Sequence, residues 1–283
     1  MNNFCIITNI DKDNEYKTTK LIQEYLTSKG KRCIISQENT AGTNDERTDV
    51  SWIPDDTDCA IVLGGDGTII RAATDLYEKE IPLLGINLGT LGFLAEIEKQ
   101  DIIPALDCLL EEDIHMQKRL MLNGNVSRNE KAFYDDFALN DIVISRSGFS
   151  RIISVSVYAN GILVDTYHGD GVIVATPTGS TGYNLSAGGP IAAPGSNVIM
   201  ITPICPHSMS QRSVLLSSED EITILIDKSK KTQKEEAIAT FDGRMAMELK
   251  AGDMIRIKKA EKVTKLIKIN KKSFYEILRN KLK

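Results

Sequence analysis

The glycine-rich segment over residues 64–68, GGDGT, holds the first residues whose types and spacing could do chemistry. It follows directly on the apolar run at residues 59–63, which predicts a buried strand. Glycines let backbone N–H groups approach a phosphate, and the N-terminus of the helix predicted to follow favours negative charge. Asp66 could accept a proton from a hydroxyl nucleophile or help to hold a metal. The alternative is a tight strand–helix turn that Asp66 caps.

The segment matches neither of the common nucleotide-binding fingerprints. The chain contains no GxxxxGK[ST] loop, and the spacing of Gly64, Gly65 and Gly67 does not fit GxGxxG. A phosphate-handling enzyme of another class is therefore indicated.

Two further segments offer polar groups to a ligand. Residues 176–184, TPTGSTGYN, provide hydroxyls that can bond ribose and base edges while Tyr183 supplies a stacking face; a surface turn is the alternative. Asn140 and Asp141 interrupt an apolar strand predicted over residues 138–144. On a regular strand they would point to opposite faces, so one would be buried. A ligand-binding bulge and a structural hydrogen-bond network both remain open.

The elements that must position these residues change character along the chain. Strand and helix patterns alternate over the first hundred residues, which predicts a parallel sheet covered on both faces. From about residue 120 to 263 strand patterns dominate, with Asn160-Gly161 as a two-residue hairpin turn. A last amphipathic helix, from Phe274 to Leu282, needs an apolar surface and is expected on the N-terminal domain. Residues 37–49 and 228–236 are predicted loops.

Composition excludes several classes of protein. The chain has 283 residues, with 34 Lys+Arg against 39 Asp+Glu and a net charge of −5, so no overall field favours nucleic acid or anionic membranes. No apolar run reaches the roughly 18 residues of a membrane span, and no signal peptide is visible. Five scattered cysteines predict free thiols in a reducing cytoplasm, and three histidines lack zinc-ligand spacing.

Together these segments resemble the NAD kinase family. The resemblance rests on GGDGT, NLGTLGFL at residues 87–94, Asn140-Asp141, HGDG with TPTGSTGYNLSAGGP, and TPICPHS at residues 202–208, and it spans residues 59–265. GGDGT alone is shared with diacylglycerol and sphingosine kinases, whereas the TPTGSTGYNLSAGGP stretch is much more specific.

The resemblance implies a fold and a reaction. The expected fold is an α/β N-terminal domain with a Rossmann-like parallel sheet over residues 1–105, completed by residues 260–283, and a β-rich NAD-binding domain over residues 106–259. The expected reaction is transfer of the γ-phosphoryl group of ATP to the 2′-hydroxyl of the adenosine ribose of NAD. Few lysines lie near GGDGT in the sequence, so Mg²⁺ carried by ATP is the expected counter-charge. A homodimer or homotetramer is expected.

The resemblance also assigns roles to particular residues. Asp66 would be the general base and Gly64, Gly65, Gly67 and Thr68 the phosphate loop. Asp141 stands where many members have Glu, and Gly182 where Ala is frequent, which removes a methyl contact. The other residues expected at the nucleotides are Phe93, Asn140, His168, Asp170, Thr178, Thr181, Tyr183 and Ser186. Arg71, Arg151 and Arg244 align with further ligand contacts, with solvated surface arginines as the alternative.

Two rival functions share part of these signals. A lipid kinase would also carry GGDGT, but it needs an apolar acceptor pocket, for which the hydroxyl-rich loop at residues 176–183 is unsuited. A sensor would bind NAD or NADP without catalysis, with Asp66 structural. An assay of NADP formation separates the three.

Overall fold

The structure is a computed structural model, and it describes residues 1–35, 49–89, 92–95, 97–147, 152–208, 210–228, 237–269 and 273–282. Contacts within the chain divide it into two compact units, residues 1–119 with 263–283, and residues 120–262. Most of the predicted loops at 37–49 and 228–236 lie outside the described residues. No helix in the described ranges is long and apolar enough to cross a bilayer.

The first unit begins with alternating strands and helices, as the sequence predicts. Its strands are runs of buried apolar residues, which suits a parallel sheet with both faces covered. The elements in chain order are β1 (Asn3–Thr8), α1 (Lys17–Ser28), β2 (Arg32–Ile35), β3 (Cys59–Gly64), α2 (Asp66–Asp75), β4 (Leu83–Asn87), β5 (Ile97–Glu98), α3 (Ile102–Leu110) and β6 (His115–Arg119).

The second unit is built almost entirely of strands, after which the chain returns to the first unit. Its elements are β7 (Leu122–Arg128), β8 (Lys131–Ala138), β9 (Asp141–Arg146), β10 (Ile153–Ala159), β11 (Ile162–Gly169), β12 (Gly171–Ala175), α4 (Tyr183–Ser186), β13 (Val198–Ile204), β14 (Val214–Ser217), β15 (Ile222–Ile226), β16 (Ala237–Phe241), β17 (Arg244–Leu249) and β18 (Met254–Lys259). The returning elements are β19 (Thr264–Lys268) and α5 (Phe274–Lys281).

The sheet of the first unit has the order β2-β1-β3-β4-β19-β6 among the described strands, with β5 added beside β4. All neighbours are parallel except β6, which runs antiparallel to β19. The strand order reverses between β1 and β3, because β2 lies on one side and β4 on the other. Open α/β sheets bind ligands beyond the carboxyl ends of strands at such a reversal. The loops after β1 and β3 therefore occupy the ligand-binding edge.

The second unit contains two antiparallel sheets, with the orders β11-β10-β15-β18-β7-β8 and β14-β13-β12-β9-β16-β17 among the described strands. Alternate residues of strands such as β15 and β16 are buried, and residues of both sheets form one apolar core. Asn160 and Gly161 have φ of 50° and 78°, so the predicted hairpin between β10 and β11 is confirmed.

The predicted fold class is confirmed, including the return of the C-terminal segment to the first unit. The predicted strand over residues 138–144 is wrong, because β8 ends at Ala138 and a new strand, β9, begins at Asp141. The chain turns at Leu139 and Asn140, whose N–H groups bond to a side chain, Asp242, instead of to a neighbouring strand. Six strands were not predicted individually: β5, β6, β7, β8, β17 and β19.

Candidate active site

The glycine-rich segment joins β3 to α2 with a single residue between them. Gly65 is the N-cap of α2, has extended backbone and supplies no side-chain cap. A Cβ built on Gly64 would lie 2.2 Å from Thr68 Oγ1, so only glycine fits there. The first N–H groups of a helix have no acceptor within the helix, and they attract an anion. The segment therefore has the geometry that a phosphate loop requires.

The Asp66 carboxylate is held by the backbone of residues 93–95. The Phe93 N–H donates to Oδ2 at 2.7 Å, and the N–H groups of Leu94 and Ala95 donate to Oδ1 at 3.0 and 3.2 Å. The alternative in which Asp66 caps its own helix is wrong, since no such bond exists. A carboxylate offers about four lone-pair positions, so Oδ2 can still accept from a hydroxyl.

Close approach of the loop to Asp66 depends on Gly92. A Cβ built on Gly92 would lie 1.7 Å from Asp66 Oδ1. The same loop is braced by α5: the Phe93 ring lies 6.2 Å from the Phe274 ring, and Lys281 Nζ lies 5.0 Å from the Phe93 centroid. The half-buried Phe93 ring is thus engaged by the C-terminal helix, which helps to fix the carboxylate.

One cation near the glycine-rich loop was not predicted from the sequence. Lys12, in the loop after β1, places Nζ 3.2 Å from the position of a Cβ built on Gly65 and 3.8 Å from one built on Gly89. Few lysines lie near GGDGT in the local sequence, and the fold brings Lys12 there from the loop after β1. Only a basic residue following a predicted strand could have indicated it. In the described ranges no group of three or more His, Cys, Asp or Glu side chains is placed to hold a metal ion.

In the second unit, Asp242 holds the Asn140–Asp141 turn. Its carboxylate accepts the N–H groups of Leu139 and Asn140, both at 2.7 Å, and of Asp141 at 3.1 Å. The Asp242 N–H donates back to the Asp141 carbonyl at 2.9 Å. This network engages the backbone, whereas Asn140 Oδ1 is buried with no hydrogen-bond partner among the described residues, so both alternatives for the two side chains stay open. Asp242 lies in a hairpin turn (φ 52°), and an Asp-Gly dipeptide after an apolar run was its only sequence signal.

Two buried carboxyl groups lie side by side at this turn. Burial, and then the nearby Asp242 charge, raise the pKa of Asp141 to about 7. Burial also raises the pKa of Asp242, while its three N–H donors and the Arg244 charge act in the opposite direction. The pKa of Tyr183 is raised by burial, then by Cys205, Asp170 and Asp141. Asp141 and Asp170 are therefore both within electrostatic reach of Tyr183.

Polar residues of the TPTGSTGYNLSAGGP stretch brace this loop from inside. The Thr176 hydroxyl donates to the Leu139 carbonyl at 2.6 Å, which ties the loop to the Asn140 turn. The buried Asn184 donates to the Pro190 carbonyl at 2.9 Å and accepts from Thr202 Oγ1 at 2.7 Å. Two residues of the stretch are exposed to solvent, Tyr183 (47% exposed) and Ser186. Thr181 and Gly182 are partly exposed, and Thr178 is buried.

Other predicted site residues have structural partners or lie apart. Asp170 Oδ1 accepts from Arg146 Nε at 2.7 Å, and the side chain of His168 is exposed on the edge strand β11. Arg244 is no solvated arginine: it is mostly buried, 3.5 Å from Asp136 and 3.3 Å from the Phe137 carbonyl. Arg71 is half-buried on α2, and Arg151 lies outside the described residues.

A pair of glycine substitutions tests how tightly the loop packs on Asn140. A Cβ built on Gly179 would lie 2.2 Å from the Asn140 carbonyl oxygen, whereas one on Gly182 would meet nothing closer than 3.3 Å. Gly179→Ala is expected to lower the free energy of unfolding by about 1–3 kcal/mol, because the backbone must shift. Gly182→Ala, the matched control, should stay within about 0.5 kcal/mol. Urea unfolding measures both variants, and equal effects would contradict the packing.

The raised pKa of Asp141 predicts a pH-dependent stability. Its pKa of about 7 in the folded protein lies above the ordinary value of 3.8, so unfolding releases a proton between those values. The contribution of Asp141 to the free energy of unfolding is fully present below pH 3.8. It falls by on the order of 4 kcal/mol as the pH rises to about 7. Asp141→Asn should flatten that fall in urea unfolding of the ligand-free protein. An unchanged slope would show that Asp141 titrates normally.

Comparison with known proteins places these features in a class. The chain matches the model of the ATP-NAD kinase N-terminal domain over residues 5–114 and that of the C-terminal domain over residues 139–269. It is 51% identical to an NAD kinase of Lachnoclostridium phytofermentans, covering 99% of both chains, and 43% identical to one of Lachnospira eligens, covering all of both.

Solved structures agree. The fold matches yeast NADH kinase complexed with NADH at a TM-score of 0.88 and 22% identity, covering 100% of this chain and 87% of that one. It matches an Archaeoglobus fulgidus NAD kinase in complex with ATP at 0.77 and 26%, covering 98% and 97%. The family match, in a fold with a glycine-rich loop and a fixed carboxylate at the ligand-binding edge, identifies a phosphotransferase. The chain belongs to the NAD kinase family.

Proposed function

We propose that the protein transfers the γ-phosphoryl group of ATP to the 2′-hydroxyl of the adenosine ribose of NAD, giving NADP and ADP, with Asp66 as general base. The observation that carries this is the Asp66 carboxylate, fixed by three N–H donors beside the glycine-rich loop. Membership of the NAD kinase family supports the choice of acceptor and donor.

The chemistry asks little of the protein beyond position and charge. A sugar hydroxyl is a poor nucleophile at neutral pH, and Asp66 Oδ2 has a lone pair left to take its proton. The backbone N–H groups at the start of α2, those of Gly65, Asp66 and Gly67, stabilise charge on the transferred phosphoryl group. Mg²⁺ enters as part of the substrate MgATP and neutralises the polyphosphate.

The second unit supplies the groups proposed to hold NAD. The Asn140 amide and Asp141 carboxyl stand on a turn whose backbone is fixed by Asp242, so their side chains are free to face a ribose. With a pKa of about 7, Asp141 can either donate to or accept from a ligand hydroxyl. Tyr183 offers an exposed ring for stacking. Asp170, which accepts a hydrogen bond from Arg146, is expected to face NAD as well.

The wider setting belongs to the same proposal. We expect a homodimer or homotetramer in the cytoplasm, and functional domains close to residues 1–105 with 260–283 and to residues 106–259. Five free cysteines fit a reducing compartment.

One coupled assay tests the function against its rivals. Purified protein with MgATP and NAD is monitored through an NADP-specific dehydrogenase, and steady NADP formation is expected. A lipid kinase or a nucleotide sensor would give no signal, and a sensor would still bind NAD in a calorimetric titration.

A further inference from the structure

The Lys12 ammonium occupies a defined place at the ligand-binding edge of the first unit. It lies 3.2 Å from the position of a Cβ on Gly65 and 3.8 Å from one on Gly89. Gly65 follows β3, and Gly89 follows β4, so the ammonium lies over the ends of two neighbouring strands. The absence of side chains at both glycines leaves space beside it for a ligand.

The backbone that presents Lys12 is fixed. The Asn9 N–H donates to the carbonyl of Leu63, near the end of β3, at 2.8 Å. The Lys12 N–H donates to the Asn9 carbonyl at 3.0 Å. The next residue, Asp13, is buried, and its carboxylate accepts from both the N–H and the hydroxyl of Thr19 at 2.9 and 2.7 Å. The loop therefore holds its position while the Lys12 side chain remains exposed.

The charge of Lys12 is not paired with any of the residues that the structure describes. Across the described ranges, no hydrogen bond or ion pair engages its ammonium, whereas Lys79 is paired with Asp55 at 2.7 Å and Lys259 with Glu219 at 2.6 Å. The chain as a whole carries a charge of −5, so it repels polyanions except where local charge is positive. A free cation beside the N-terminus of α2 concentrates positive charge at the strand-order reversal between β1 and β3.

We propose that Lys12 is a further substrate-binding residue, whose ammonium contacts phosphate oxygens of the nucleotide held at the GGDGT loop. The proposal rests on the proposed kinase function. The group that Lys12 would contact is the diphosphate or triphosphate of a nucleotide, which either NAD or MgATP could provide. An ammonium on a flexible stem suits this role, because it follows the phosphate as a point charge without fixed geometry.

Removal of the charge tests the proposal. Lys12→Met is expected to raise the KM, and the Kd from calorimetry, of one nucleotide by about 10- to 100-fold, as expected for loss of a charge-assisted hydrogen bond. Titrations with MgATP, ADP and NAD run in parallel, and the nucleotide whose affinity falls is the one that Lys12 contacts. Lys12→Arg should restore affinity to within a few-fold. Lys31→Met, at the opposite end of the strands, removes the same charge and should leave both affinities unchanged.

The outcomes separate this proposal from the proposed function. If the parent protein forms NADP and Lys12→Met binds both nucleotides as tightly as the parent, Lys12 is not a substrate ligand. Equal losses in Lys12→Met and Lys31→Met would also overturn it, because they would report net charge alone. If the parent forms no NADP, the kinase assignment fails, and direct binding of ADP still decides the role of Lys12.

Discussion

Asp66→Asn is expected to lower kcat for NADP formation by at least about 100-fold, the contribution that a positioned general base makes. The amide lacks the basicity to take the proton of the 2′-hydroxyl. The coupled assay measures the loss, and calorimetry measures NAD binding. Activity within a few-fold of the parent would rule out Asp66 as the base.

The structure adds a second consequence of this substitution, which needs its own control. The new amide group would turn N–H donors toward the N–H groups of residues 93–95, so the loop must shift. Phe274→Ala loosens the same loop through Phe93 but keeps the carboxylate. Amide exchange over residues 93–95 should rise in both variants, while only Asp66→Asn loses activity by the larger factor. Equal losses would assign Asp66 a positioning role.

Asp242→Asn is expected to raise the KM for NAD at least about ten-fold and to lower the free energy of unfolding by about 2–4 kcal/mol. The carboxylate accepts three consecutive N–H groups, and an amide in its place presents a donor to at least one of them. The turn that carries Asn140 and Asp141 then loses its fixed geometry. Initial rates at varied NAD and urea unfolding give the two quantities.

A second buried carboxylate separates positioning from general destabilisation. Asp253 directly precedes β18, a strand of the other sheet of the second unit, and accepts from Arg128 at 2.7 and 2.8 Å and from the Lys250 N–H at 2.7 Å. Asp253→Asn should lower stability comparably and leave the KM for NAD unchanged. If Asp242→Asn lowers stability alone, the Asn140–Asp141 pair does not depend on it.

The motifs predicted the segment from β3 to α2 well because their signals are local. The apolar run at residues 59–63 and the glycines after it dictate a buried strand, a turn and a helix start within ten residues. Asn160-Gly161 gives a hairpin for the same reason, since both residues tolerate positive φ. Strands β7, β8 and β17 were missed although β8 and β17 each pair with the strand before them in the sequence. In β7 and β8, polar residues such as Asn123, Asn125, Asp135 and Asp136 obscure the apolar pattern.

The candidate site depends on contacts that no local pattern contains. Asp242 lies 101 to 103 residues along the chain from the N–H groups that it binds. Lys12 reaches the glycine loop only because β1 and β3 are parallel neighbours. Arg244 was aligned with a ligand contact, yet its surroundings are Asp136 and the Phe137 carbonyl.

The sequence by itself determined the family, the fold class and the residues of the glycine-rich and hydroxyl-rich loops, because each depends on short-range spacing and residue type. Only the tertiary structure decided which groups hold Asp66, what fixes Asn140 and Asp141, and which cation lies beside the phosphate loop. Hydrogen bonds and charges act over a few ångströms in space whatever the separation along the chain, so their partners become known only when the strands are paired.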